Sequence, residues 1–164
     1  MNARLPAPSR ASKATAGVRV SLEPWPGKAL DAIYRDQFNE VNQFPQVCTG
    51  ELHHERYLRI QAEGRLVCVV ARLHNVIVGY LVVIVYPHLL NKGLTAASDN
   101  MFFVRPVLRG RGIASKMMEL AMGACRERGA KILYAHDKVN KKHAEQLLFN
   151  QGFKPWQTTW AKVL

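Results

Sequence analysis

The sequence predicts an α+β domain in three layers, a mixed and mostly antiparallel sheet flanked by about four helices. Two observations predict it. Helically spaced apolar residues alternate with valine-rich runs, in the order strand, two helices, three strands, helix, strand, helix, strand. The last two helices flank a lone strand, which is how crossover connections make part of a sheet parallel. At 164 residues the chain is long enough for one domain with a real core.

Each element has its own signal. The stretch VRVSLEPW, from Val18, reads as the first strand. GKALDAIYRDQFNEVNQF places Leu30, Ile33, Tyr34, Phe38 and Val41 at helical spacing, and ELHHERYLRIQAEGR reads as a weaker helix. Leu66 to Leu73 and Val76 to Tyr86 are the arms of a hairpin, with Asn75 suited to a left-handed turn and Pro87 as the stop. HLLNKG is a loop, and LTAASDNMFFV is a strand ended near Pro106. A helix then starts at about Gly110, with Ile113, Met117, Leu120, Ala121 and Ala124 on one face, and ends near Gly129. KILYAHDK is a strand, NKKHAEQLLFNQGF a short helix stopped by Gly152, and TTWAKVL a closing strand.

Residues 1–17 contain no acid and no apolar block, so they read as a disordered basic tail before a domain spanning 18–164. They lack the apolar middle of a secretory signal, and Pro6 and Pro8 would break a transit-peptide helix. The apolar run from Val76 to Tyr86 is too short to span a bilayer, so no membrane partner is expected.

Charge and cysteines narrow the class further. Lys and Arg total 23 against 12 Asp and Glu, a net charge of +11. Such a field favours nucleotides, nucleic acid, anionic lipid or an acidic protein, although a basic protein without such a partner has the same composition. Cys48, Cys68 and Cys125 are scattered and odd in number, which is neither a disulfide framework nor a zinc pattern and suits a reducing cytoplasm. HHERY does not have the histidine spacing of a helical zinc site, so no metal is expected.

The most informative stretch is RPVLRGRGIASKMM, residues 105–118. It puts two glycines and three arginines where a helix must begin. The first amides of a helix have no internal partner, and its dipole adds positive charge there. Gly110 and Gly112 let an anion approach the backbone, and Arg105, Arg109 and Arg111 add full charges. The arrangement suits a phosphate or pyrophosphate; a glycine turn without ligand is the plain alternative. The third glycine of the dinucleotide fingerprint is missing, the P-loop lysine is absent, and the Arg-Gly unit occurs once, unlike repeated RNA-binding segments.

Arg109, Gly112 and Ala114 match in register the Gln/Arg-x-x-Gly-x-Gly/Ala signature, FFVRP leads into it, and AEQLLFNQGF ends in Gly-Phe. In these features and in element order the chain resembles the GCN5-related N-acetyltransferases (GNAT), from Val18 to Leu164. VIVYPHLLNKGLTAASDNMFFV with TTWAKVL is more narrowly similar to acetyltransferases carried by tailed bacteriophages.

The resemblance implies an N-acetyltransferase that uses acetyl-CoA and a primary amine, in a protein or a small molecule. It implies a cytoplasmic location, in a host cell or virion-associated if phage-encoded. Amides of Arg109, Gly110, Arg111, Gly112, Ile113, Ala114 and Ser115 would hold the pyrophosphate. The main chain at Phe102 and Val104 would pair with the pantetheine arm where two parallel strands splay apart, and a main-chain N–H would stabilise oxyanion charge. A base must deprotonate the amine. Asp99 is the first candidate, yet the count from Arg109 puts the base position on Ser98, and one residue reverses the face of a strand unless a bulge intervenes. Asp99 is alternatively a structural carboxylate. His136 and His88 are reserve bases. Leu148 stands where the family often has a proton-donating tyrosine, leaving water, Tyr134 or His136 for that role; the plain reading of Tyr134 is half-buried packing. The asparagine that often helps hold CoA falls on Lys141, with Asn140 one place off.

Glu51, Glu55, Asp36, Glu40 and Asp99 could attract a cationic amine or simply solvate helix faces. The competing function is a weak or inactive scaffold of this kind, structural or nucleic-acid-associated, touching phosphates non-specifically through Arg4, Arg10 and Lys13.

Overall fold

The computed structural model describes residues 17–42, 44–137 and 142–164. The basic tail up to residue 16, Asn140 and Lys141 lie outside the described residues. Five strands form one sheet in sequence order: β1 (Val18–Leu22), β2 (Leu66–Leu73), β3 (Val76–Pro87), β4 (Thr95–Val104) and β5 (Ile132–Tyr134). Four helices flank it: α1 (Asp31–Val41), α2 (His54–Ala62), α3 (Ile113–Glu127) and α4 (Lys142–Asn150). Neighbours from β1 to β4 are antiparallel, and β4 and β5 are parallel.

The valine runs of β2 and β3 lack polar alternation because helices cover both faces. On one face α3 lays Met117, Met118, Ala121 and Cys125 in one core with Val67, Val69, Leu81 and Val83. On the other, Ile33, Tyr34, Tyr57 and Ile60 meet Cys68, Val70, Tyr80 and Val82. Met117 is fully buried, so its truncation to alanine costs about 2–5 kcal/mol. His74 and Asn75 take φ of 46° and 69°, as a two-residue hairpin turn with the twist of its arms requires.

Trp25 fastens α2 to the rest. Its ring stacks on Tyr57 at 4.1 Å, and its Nε1–H donates to His54 Nδ1 at 3.2 Å. That acceptor role leaves the His54 proton on Nε2, facing Asp31 Oδ1 at 2.8 Å. The second histidine of HHERY is thus a structural link between α1 and α2.

Three boundaries differ from expectation. The helix after the glycine loop starts at Ile113, because a 3₁₀ turn at Pro106–Leu108 and the two glycines come first. The strand expected over KILYAHDK shortens to Ile132–Tyr134. TTWAKVL is no strand: residues 153–164 are irregular and Trp160 is 90% exposed. Tryptophan, threonine and valine fit a pleated, half-buried surface, and here no neighbouring strand supplies one. Among the described residues, no helix is long and apolar enough to cross a membrane.

Candidate functional site

The glycine loop has the geometry of an anion cradle. Gly110 (φ 72°) and Gly112 (φ 78°) are both left-handed, and Gly112 is the N-cap of α3. Among the described residues, no side chain caps this end. The first carbonyl engaged is that of Gly112, by Lys116 N–H at 3.1 Å. A Cβ at either glycine would meet nothing within 4 Å, so space lies open over the backbone. Arg111 Nη1 is shielded from solvent with no partner among the described residues, a cation placed to receive negative charge. Open amides, helix dipole and orphaned guanidinium together fit a diphosphate.

Two of the three arginines point elsewhere. Arg105 pairs with Asp36 at 3.0 Å. Arg109 makes a two-pronged bond to Glu40, at 2.9 and 2.8 Å. Its Nε donates to the Val104 carbonyl at 2.8 Å, and its guanidinium lies 5.2 Å from the centre of the Phe103 ring. The Arg109 amide is spent as well, on the Pro106 carbonyl at 3.1 Å. Arg109 therefore clamps α1 to the end of β4, and the open amides begin beyond it. Asp36 and Glu40 are four residues apart on α1, so one helix face meets both arginines.

The outer edge of β4 is next to this loop. Arg105 N–H bonds the Val78 carbonyl of β3 at 2.9 Å, so Phe102 and Val104, alternate to it, turn their main-chain groups the other way. Among the described residues, ladder pairing with β5 covers Ala96, Ala97 and Ser98 and does not continue to Phe102 and Val104. The two outward carbonyls accept side-chain donors, Gln37 Nε2 at 3.4 Å and Arg109 Nε. Gln37 also accepts from the hydroxyl of buried Tyr80, whose pKa burial raises. Gln37 is a contributor that sequence reading missed.

A bulge reverses the faces in the middle of β4. Val82 opposes Met101 and Val83 opposes Asp99, so Asn100 is the extra residue. Phe102 and Ala97 consequently share the α3 face despite their odd separation. Asp99, opposite Val83, joins that face, and Ser98 takes the other. The bulge that register counting required is present, and the Asp99 carboxylate has a defined partner. Its Oδ1 accepts the His136 backbone N–H at 3.1 Å and faces His136 Nδ1 at 2.5 Å. The Asp99 side chain is 8% exposed and that of His136 63%. The carboxylate thus holds the inner ring nitrogen, and Nε2 has no hydrogen-bond partner among the described residues. Asn100 receives the Tyr57 hydroxyl at 2.5 Å. Burial, assisted by nearby Tyr34, pushes Tyr57 up to about 12, so it remains a neutral donor. Nothing local marks this pair, whose members are 43 residues apart.

Tyr134 points its hydroxyl at His88 Nε2, 3.4 Å away. Tyr134, His136, His88 and Ser98 line a cleft of about 1340 Å³. Leu148 lines it too and packs on the α3 core, with Glu145 and Phe149 of the same helix also in the lining, so the position at which a proton-donating tyrosine would stand carries only hydrocarbon. Of the five acids expected near the acceptor, Asp36, Glu40 and Asp99 hold cationic partners or histidine, and Glu51 and Glu55 are exposed.

Residues 28–153 match the profile of the acetyltransferase (GNAT) family. No curated protein matches the chain. Among solved structures it is similar to a transcriptional regulator from Bacillus halodurans, at 20% identity over 89% of this chain and 100% of that one, with a TM-score of 0.70. It is also similar to an aminoglycoside acetyltransferase from an uncultured soil metagenomic sample in complex with trehalose, at 14% identity, 91% and 97% coverage and a TM-score of 0.68. A third is the aminoglycoside N-acetyltransferase AAC(6′)-Iy in complex with CoA, at 13% identity, 90% and 94% coverage and a TM-score of 0.67. At these identities the likeness is one of fold.

Proposed function

The chain belongs to the acetyltransferase (GNAT) family, and we propose that it moves an acetyl group from acetyl-CoA to a primary amine by direct attack. The observation that carries this reading is the uncapped start of α3 beside the unpaired edge of β4. The amides from Gly110 to Ser115 and Arg111 would hold the diphosphate, and the outward main chain of Phe102 and Val104 would hold the pantetheine arm. Acetyl-CoA supplies an acyl group on a good leaving thiolate.

The protein's own residues handle the proton. A protonated amine is no nucleophile, so His136 Nε2 would take its proton while Asp99 fixes the ring and steadies the charge that forms. Asp99 is then a positioning residue, because its oxygen is committed to His136. Tyr134 would return a proton to the thiolate. Neither buried cysteine is set up to carry an acyl group, because burial pushes the Cys68 and Cys125 thiols up to about 12 and about 11, and a protonated thiol is a poor nucleophile. We place the reaction in the cytoplasm, that of a bacterial host if the likeness to phage-borne acetyltransferases holds.

Thiol release from acetyl-CoA over a panel of primary amines tests the reaction. Thermal shift tests binding: acetyl-CoA at about 100 times its dissociation constant should stabilise by about 2.7 kcal/mol. No shift with acetyl-CoA, and salt-sensitive retention of a DNA duplex instead, would favour the nucleic-acid scaffold suggested by the +11 charge.

A further inference from the structure

The loop between β3 and β4 is shaped by its own hydrogen bonds. The ladder ends where Pro87 opposes Thr95. Beyond it the His88 amide donates to the Leu94 carbonyl at 2.8 Å, Asn91 N–H to the His88 carbonyl at 3.4 Å, and Leu94 N–H to the Asn91 carbonyl at 3.2 Å. Leu89 and Leu90 at its tip are 96% and 89% exposed, so packing does little to fix it. His88 stands at the base of the loop, half-buried, with both ring nitrogens engaged.

One of those contacts decides the other. His88 Nδ1 faces the Leu90 backbone N–H at 3.2 Å and the Asn91 Nδ2 amide at 3.3 Å. A backbone N–H can only donate, so Nδ1 must offer its lone pair. The neutral ring then carries its proton on Nε2. Nε2 lies 3.4 Å from the Tyr134 hydroxyl oxygen, with the ring centres 6.5 Å apart. The imidazole therefore donates and the phenolic oxygen accepts; the reverse order would put a proton on Nδ1, against the Leu90 amide. The separation is long for an N–H···O bond, as is common in sites that tighten when substrate arrives. Tyr134 lines the cleft, and its own O–H proton is left for a group in that cleft.

We propose that His88 is a positioning residue for Tyr134, holding the phenolic oxygen through Nε2–H so that the hydroxyl proton is directed into the cleft. Its role rests on the acetyl-transfer reading, in which Tyr134 is the proton donor. As the C–S bond of the thioester breaks, the electron pair leaves with sulfur. The Tyr134 proton passes to that sulfur and gives the free thiol. The His88 N–H bond strengthens as negative charge gathers on the phenolic oxygen, and solvent then returns a proton to Tyr134. His88 acts only through the tyrosine.

Substitutions separate the two ring nitrogens. His88→Asn keeps an acceptor near the place of Nδ1 and loses the Nε2 donor, whereas His88→Gln keeps an N–H near the place of Nε2. His88→Asn should lower kcat about tenfold, the worth of one hydrogen bond to a forming charge, with KM for acetyl-CoA unchanged. His88→Gln should recover most of that loss. With Tyr134→Phe already in place, His88→Asn should cost nothing further. Nitrogen NMR of the wild type, at a pH where the ring is neutral, should show a bare Nδ1 and a protonated Nε2 on His88. A neutral ring protonated on Nδ1 overturns the proposal. So does full kcat in His88→Asn, an equal loss in His88→Gln, or a further loss on the Tyr134→Phe background. If the wild type releases no thiol with any amine, the proposed reaction fails, and the tautomer alone then decides whether His88 donates to Tyr134.

Discussion

The two halves of β4 build their sites by different means. Beyond Val104, the cradle uses residues adjacent in sequence, and its shape comes from two left-handed glycines at the start of α3. At Asp99 and Asn100, the arrangement depends on His136 and Tyr57, 37 and 43 residues away, and on a bulge that appears only when β4 is laid against β3. A local site is lost by one backbone change. A distributed one loses precision by degrees as each contact is removed.

Substitutions can separate the halves, and the largest effect belongs to the cradle. Gly112→Glu should weaken CoA binding at least about 100-fold by calorimetry, since a left-handed backbone costs a non-glycine residue about 1–2 kcal/mol and a carboxylate would occupy the anion's place. Retained affinity would detach the loop from the site. In the middle of β4, His136→Ala should lower kcat about 100-fold with the affinity for acetyl-CoA unchanged. Asp99→Asn should act in the same direction, and the double variant should be no worse than His136→Ala alone. An additive double variant would show that Asp99 acts separately.

Smaller effects refine the contrast. Arg109→Ala, read by urea midpoint, should cost about 1 kcal/mol, because the pair with Glu40 is partly exposed and exposed pairs are screened. Glu40→Gln should cost less, since the bond to Val104 and the Phe103 contact survive. The smallest lies at the far edge of the sheet. Hydrogen bonding from Arg72 holds Glu23 below its ordinary value of 4.5. That contribution is therefore complete above pH 4.5 and disappears as pH falls through the lower folded value. Glu23→Gln should flatten this acid limb of stability; an unchanged limb would assign it to other carboxylates.

The cradle was legible because glycine, proline and arginine act on their own backbone neighbourhood. The Arg109 side chain was not, because its choice of Glu40 over the open helix end depends on where α1 packs. Ser98 and Asp99 were ambiguous for a related reason: alternation along a strand reports its faces only while the ladder is regular, and Asn100 breaks it. The C-terminal segment shows the converse limit, since strand composition without an edge to join leaves an irregular chain.

The sequence by itself determined the order of elements from β1 to α4, the buried hairpin and the glycine-opened start of α3, because these follow from side-chain spacing and local backbone preference. Only the tertiary structure decided which arginines are consumed by α1, which face Asp99 shares, and that His136 and Tyr57 meet the bulge. Those outcomes depend on packing between segments distant along the chain, where burial and partner geometry outweigh local preference.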